Sequence, residues 1–332
     1  MTLFSKSCVC GTVVVTAMTA PCAADTKLAV SSIGGDAVLR YSIVADAAYK
    51  PFDHMVGIGV TGSPGLDATA GIRAYGGDKL FVCSFNTDRI FVYNKFTGEY
   101  LSAFAATSDL DGPADIAVKD GVAYVTSRWN NRILRYDADS GIYLGQFVQS
   151  GVGGLNNPQG VEIGPDGILY VASQLSNSVK KYSLQTQAFL GTLPNPPAGV
   201  SLVEPVGLAF DTDGKLYVSG AGSDNVLRYS PTGDFETVVV ATGTNSIDPR
   251  LMRFGPDGML YIASSGNSAV YRYEPDADAL LLVTVVSPGS GGLVNAWGLE
   301  FLPDQCSADL NADGEVSGAD LGMLLSSWGL CP

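Results

Sequence analysis

The sequence is poor in histidine, in charge and in long apolar runs. His54 is the one histidine among 332 residues, which removes most imidazole-based catalysis and any metal site built on several histidines. Charged residues make up 16% of the chain, against about 25% in an average soluble protein. Basic residues are the scarcer sign: 19 Lys and Arg stand against 33 Asp and Glu, a net charge of −14. That balance excludes the basic footprint of a nucleic-acid binder and adhesion to anionic lipid. Beyond the first two dozen residues no run of 18 apolar residues occurs, so no membrane span is expected. What is abundant is glycine, 40 residues, where the average of ~7% would give far fewer. With 15 tyrosines and few charges, the composition points to a turn-rich β protein.

The N-terminus reads as an address. Residues 1–24 carry Lys6 as a positive start, an apolar stretch over 9–20 and small residues at Cys22-Ala23-Ala24. This is a secretory signal pattern with cleavage after Ala24. Lipid modification of Cys22 fits less well because Pro21 precedes it, and a buried first strand is the alternative. The mature protein is expected to be secreted, extracellular or at the cell surface. Cys8, Cys10 and Cys22 leave with the signal. Cys83 lies in a strand pattern and reads as a buried free thiol, while Cys306 and Cys331 are a candidate disulfide in an oxidising compartment.

The middle of the chain repeats. An apolar strand ends in a small residue, a short polar loop follows, and a second strand ends in tyrosine. The closing tyrosines are Tyr41, Tyr93, Tyr136, Tyr182, Tyr229 and Tyr273, spaced 52, 43, 46, 47 and 44 residues apart. Most copies are preceded by a Pro-x-Gly strand start, as in Pro158-Gln159-Gly160 and Pro205-Val206-Gly207, and by an Asp-Gly turn, as in Asp166-Gly167, Asp213-Gly214 and Asp257-Gly258. Asp-Gly accepts positive φ and favours hairpins. About four short strands every 45 residues or so is propeller spacing. The segment 296–301 is a first strand with nothing after it, and the first copy lacks its first strand. Together they predict one blade closed by both termini, hence an all-β, six-bladed β-propeller over 25–303. A seven-bladed WD-type propeller is the runner-up, disfavoured by six copies and absent Trp-Asp endings.

These Pro-x-Gly starts, Asp-Gly turns and Leu-Tyr-Val strands resemble NHL-repeat and gluconolactonase-like six-bladed propellers. The resemblance implies a divalent ion on the central axis, held partly by Asn or Asp between the Pro and Gly of the first strand. Those positions are here Gly71, Ala114, Gln159, Val206, Arg250 and Trp297. None is a carboxylate or asparagine, so that metal site, and lactonase activity with it, is expected to be absent. Asp115, Glu162 and Glu300 stand near the same strand ends. Glu162 and Glu300 are candidates either for a metal or paired-carboxylate site or for salt-bridged channel lining. His54 reads as a residue of an outer strand.

Residues 304–332 form a separate module. Asp309, Asn311, Asp313 and Asp320 place side-chain oxygens at positions 1, 3, 5 and 12 of a loop with Gly314 at 6. Glu315 at position 7 offers its carbonyl. This is EF-hand-type spacing for Ca2+, followed by a short helix with Leu321, Leu324, Leu325 and Trp328 on one face. The pattern resembles a single dockerin repeat. The resemblance implies Asp320 as a calcium ligand and a cohesin-like or cell-wall partner, although dockerins carry two repeats.

The propeller face that gathers first-strand starts and second-to-third-strand loops is the richest in binding chemistry. It is expected to carry Arg128, Trp129, Gln159, Arg250 and Trp297, with Trp297 either exposed there or packed between blades. Aromatic and arginine side chains bury large area at low entropic cost. No catalytic residue is assigned. The sequence thus reads as a secreted ligand- or partner-binding propeller with a calcium-binding tail, its partner a carbohydrate or protein. An extracellular lactonase-like or polysaccharide-degrading hydrolase is the alternative, and a structural surface module the third reading. The tail assignment predicts that calcium raises helicity in a 303–332 peptide with its disulfide formed, measured by circular dichroism. Asp313→Ala should weaken that response most, and a spectrum indifferent to calcium would contradict it.

Overall fold

The computed structural model describes residues 26–42, 51–56, 65–243, 246–275 and 282–303. The signal segment, the Cys306–Cys331 pair and the calcium loop lie outside them. Six four-stranded antiparallel sheets follow one another as blades. The first joins β1 (Thr26–Ser32), β2 (Ala37–Ser42) and β3 (Pro51–Val56) to β24 (Ala296–Pro303). The second is β4 (Thr69–Tyr75), β5 (Lys79–Ser84), β6 (Arg89–Asn94) and β7 (Tyr100–Ala103). The third is β8 (Pro113–Lys119), β9 (Val122–Ser127), β10 (Arg132–Asp137) and β11 (Tyr143–Val148). The fourth is β12 (Pro158–Ile163), β13 (Ile168–Ser173), β14 (Ser178–Ser183) and β15 (Phe189–Thr192). The fifth is β16 (Pro205–Phe210), β17 (Leu216–Gly220), β18 (Asn225–Tyr229) and β19 (Phe235–Val240). The sixth is β20 (Pro249–Phe254), β21 (Leu260–Ser264), β22 (Ala269–Tyr273) and β23 (Leu282–Val286).

The strand β24 pairs with β1, Leu28 opposite Phe301 and Val30 opposite Leu299, so the first blade is closed by both ends of the propeller segment. The inner strands β4, β8, β12, β16, β20 and β24 pack in sequence and return on themselves, which leaves no open edge around the ring. His54 stands on β3, the outermost strand of the split blade, opposite Leu39.

The repeated residues each have a physical task. The glycine of Pro-x-Gly lets inner strands approach: a Cβ on Gly160 would overlap the Val206 carbonyl, and one on Gly207 the Arg250 carbonyl. The Asp of the hairpin turns works twice. Asp166 accepts from the Ile168 amide at 3.0 Å and the Tyr170 hydroxyl at 2.8 Å, and Asp257 from Met259 and Tyr261 at 3.1 and 2.9 Å. Tyr170 and Tyr261, and Tyr217 at the equivalent position of the fifth blade, meet the next blade edge-to-face, in the pairs Tyr170–Phe210, Tyr217–Phe254 and Tyr261–Phe301, with ring centroids 5.1, 5.2 and 4.8 Å apart. The tyrosines that close each copy are all in the core. Tyr41 donates to the Ser290 carbonyl at 2.8 Å and Tyr182 to that of Val152 at 3.0 Å. Cys83 is a buried free thiol, pushed up in pKa by burial and by Asp115.

One hydrogen bond recurs at all six blade junctions. Asp36, Asp88, Asn131, Asn177, Asp224 and Ser268 open the third strand of their blades. Their side-chain oxygens accept from the amides of Ala68, Gly112, Asn157, Glu204, Asp248 and Asn295, which enter the next blade, at 2.6–2.9 Å. Both partners at every junction have positive φ, a conformation that Asn, Asp and Gly bear best. Asn157 is 5% exposed, so losing its acceptor strands a buried donor. Asn131→Ala is therefore expected to destabilise the propeller by about 1–3 kcal/mol, while Asn131→Asp costs much less. Chemical denaturation of both variants checks this, and equal midpoints would contradict it.

Candidate functional site

The channel through the ring is lined by one position from each inner strand. The hairpin registers align Arg73, Ala117, Glu162, Ala209, Arg253 and Glu300. The same registers correct one position read from the sequence. Thr69 pairs with Ser84 as Pro113 does with Ser127, so the second blade's residue between start and glycine position is Ala70, not Gly71. Asp115 stands where four other blades carry glycine, at Gly71, Gly160, Gly207 and Gly298, and a Cβ on Gly71 would lie 2.6 Å from its Cα.

Glu162 and Glu300 do reach the channel, where two arginines hold them. Glu162 Oε2 takes Arg73 Nη2 at 2.9 Å and Arg253 Nη1 at 3.0 Å. Glu300 Oε2 lies 4.0 Å from Arg73 Nε and 3.8 Å from Arg253 Nε, too far for a hydrogen bond. Asp115 Oδ1 is 3.9 Å from Arg253 Nη2, and its Oδ2 accepts from the Val161 amide at 3.1 Å. Five charges, three negative and two positive, thus fill the axis, all with side chains at most 18% exposed.

Electrostatics separates the three carboxylates. Burial pushes Glu162 up, but Arg73 and Arg253 outweigh it and hold its pKa below the usual range. Glu300 and Asp115 are raised, because burial outweighs the same arginines at their longer distances. Burial also opposes the charge of Arg73, yet Glu162, Glu300 and Asp115 together raise its pKa. Both guanidiniums engage Oε2 of Glu162, and their positive charge opposes a divalent cation at this carboxylate. Arg73 and Arg253 were legible in the sequence as the residues aligned with Glu162, a comparison of inner-strand positions that motif reading does not make.

The upper face, where inner strands start, brings the expected binding residues together unevenly. Trp129 is 55% exposed. Its ring meets Phe85 edge-to-face at 5.6 Å, and the Arg128 guanidinium lies 4.6 Å from it and 5.1 Å from Phe85. Gly112 makes this possible, since a Cβ there would lie 2.7 Å from the indole. Arg250 stacks 4.6 Å over Trp297 and pairs with Asp248 at 2.5 Å. Trp297 is 7% exposed and Gln159 1%, so both belong to the floor rather than the surface. Gln159 Nε2 donates to Asn157 at 2.8 Å and to Gln174 at 2.7 Å. The channel's other end opens on a cavity of about 300 Å³ lined by Glu162, Ile163, Ala209, Phe210, Arg253 and Phe254. The calcium-ligand candidates Asp309, Asn311, Asp313, Glu315 and Asp320 lie outside the described residues. Among the described residues no cluster of His, Cys, Asp and Glu could hold a metal, and no helix is long and apolar enough to cross a membrane.

No family model and no curated protein sequence matches the chain. Solved structures do. The chain is similar to the nidogen propeller of a nidogen/laminin complex, with a TM-score of 0.63 and 17% identity over 85% of this chain and 100% of that one. A streptogramin B lyase matches with a TM-score of 0.54 and 15% identity, covering 81% and 86%. Virginiamycin B lyase from Staphylococcus aureus gives 0.50 and 16%, covering 72% and 85%. These likenesses show the fold, an all-β six-bladed propeller.

The two glutamates should differ in their effect on stability. Glu162→Gln removes the partner of two buried cations and is expected to cost about 3–5 kcal/mol. Glu300→Gln should cost less. Glu162, with its depressed pKa, contributes stability that is lost as pH falls through its folded value. Glu300, with its raised pKa, does the reverse: its contribution is present at low pH and lost as pH climbs past about 4. The cost of Glu300→Gln should therefore shrink as pH rises from about 4 through the raised folded value. Denaturation midpoints across that window test it, and a cost that grows with pH would contradict the assignment.

Proposed function

We propose that the chain is a secreted binding module whose upper face recognises an extracellular ligand or protein partner. The carbohydrate- or protein-binding surface is centred on Trp129 and Arg128, and Arg250, Trp297 and Gln159 support it from below. The observation that carries this reading is the exposed Trp129 indole, fixed between Gly112, Phe85 and Arg128. An aromatic ring held rigid at the surface is a contact prepared before binding, so little entropy is lost on association. The likeness to nidogen, solved in a complex with laminin, supplies a precedent for this architecture in a protein complex.

The ion pairs at Glu162 weigh against that residue as a general acid or base, because the role needs a carboxylate free to exchange a proton. The C-terminal loop is proposed as a Ca2+-binding attachment element, with Asp309, Asn311, Asp313 and Asp320 as side-chain ligands and Glu315 through its carbonyl. Its partner, cohesin-like or of the cell wall, would be engaged independently of the propeller face.

The propeller reading is tested by selecting ligands for the full-length chain from a random peptide library and a glycan panel. Binding of the selected ligands should fall about tenfold or more in Trp129→Ala. It should persist in Val283→Ala, a change at an exposed residue of the outer strand β23. Ligands that ignore Trp129→Ala would place recognition elsewhere.

A further inference from the structure

Arg128 is charged, half-buried and without an ionic partner. Its Nε donates to Asn157 Oδ1 at 2.7 Å and its Nη2 to Gln174 Oε1 at 3.2 Å. Both acceptors are neutral amides, and Gln159 Nε2 donates to the same two oxygens. No carboxylate among the described residues pairs with Arg128. Other arginines of the propeller have one: Arg250 has Asp248, Arg132 has Asp109, and Arg73 and Arg253 share Glu162. Glu204 is reached only through Gln174, whose Nε2 donates to it at 3.4 Å. Burial, then the like charge of Arg250, pulls the Arg128 pKa down to about 10, which Glu204 only partly offsets. A desolvated cation without a counter-charge is costly. In a chain with 33 carboxylates and a net charge of −14, this arginine nonetheless has none.

The geometry around it is that of a socket. Phe85 and Trp129 flank the guanidinium, the amides of Asn157 and Gln174 fix its Nε and Nη2, and Nη1 makes no hydrogen bond within the described residues. Gln159 locks both amide oxygens from beneath, so the guanidinium is oriented before anything arrives. Leu175, 59% exposed, follows Gln174 in the next loop of the same face. We infer that Arg128 receives a single carboxylate presented by a partner protein segment with apolar flanks, the flanks lying on Trp129 and Leu175. The proposal rests on the upper face being the binding face. A planar carboxylate suits the free edge of a guanidinium, and charge-assisted hydrogen bonds of this kind are the strong ones. The chain's own negative charge disfavours a polyanion, whereas one carboxylate among apolar groups meets one cation between rings.

The test uses the full chain, with its arginine Nε and tryptophan Nε1 positions observed by 15N NMR. The probes are Ac-Leu-Glu-Leu-NH2, its Gln counterpart and methyl glucuronide, each at millimolar concentration and fixed ionic strength. The Glu peptide should move the Trp129 and Arg128 signals and bind about tenfold more tightly than the Gln peptide. Arg128→Gln should abolish that preference, Arg128→Lys should retain part of it, and Arg135→Gln on β10 should leave it intact. Equal binding of the two peptides, with Trp129 still responding, overturns the carboxylate socket and leaves the upper-face reading standing. No response of Trp129 to any probe overturns both. A preference that survives Arg128→Gln, or methyl glucuronide binding more tightly than the Glu peptide, overturns the proposal, the latter in favour of an acidic sugar.

Discussion

The propeller depends on one repeated contact, the hydrogen bond from each blade's loop side chain to the amide that enters the next blade. Sheets packed face to face around an axis have no backbone ladder between them, so apolar packing alone would leave their relative rotation loosely fixed. A short acceptor on a residue of positive φ, meeting a donor on another, sets that rotation at each junction. Because it recurs six times, the inner strands converge to backbone distances that only glycine permits at Gly160 and Gly207. The ring then closes through β24 and β1, and the upper face inherits its rigidity from the same contacts. The Asn131–Asn157 junction lies directly beneath Arg128, since Asn157 both receives the clamp at its amide and accepts from the guanidinium at its side chain.

Charge divides the axis into two regimes. Within the channel, Arg73 and Arg253 spend their charge on Glu162, Glu300 and Asp115. At the upper mouth, Arg250 is neutralised by Asp248 while Arg128 is held by neutral amides alone. In the first, both cations are matched by carboxylates of the same channel. The absence of such a match makes the second a place where an incoming negative group gains more than it would in water, because the site is partly desolvated and already oriented.

The architecture was legible because its determinants are local and periodic. The tyrosine spacing, the Asp-Gly turns and the orphan strand at 296–301 gave blade count and closure without any long-range information. Trp129 was legible as an exposed residue because polar neighbours flank it in a loop. Trp297 and Gln159 looked alike in the sequence and proved buried, since their positions on β24 and β12 face the floor of the mouth and not its rim. The Gly71 position shifted by one because the second blade starts with Thr69 instead of proline, so the motif's own punctuation was missing. The arginine partners of Glu162 and the socket around Arg128 are contacts between blades 29 to 91 residues apart in the chain. Periodicity shows that such positions are equivalent but not which charges meet.

The most direct test is a structure of the full chain bound to the tightest ligand selected from an unbiased peptide library. The ligand is expected to lie on Trp129 with an acidic group at Arg128. A ligand seated instead at the lower mouth against Phe210 and Phe254 would contradict it.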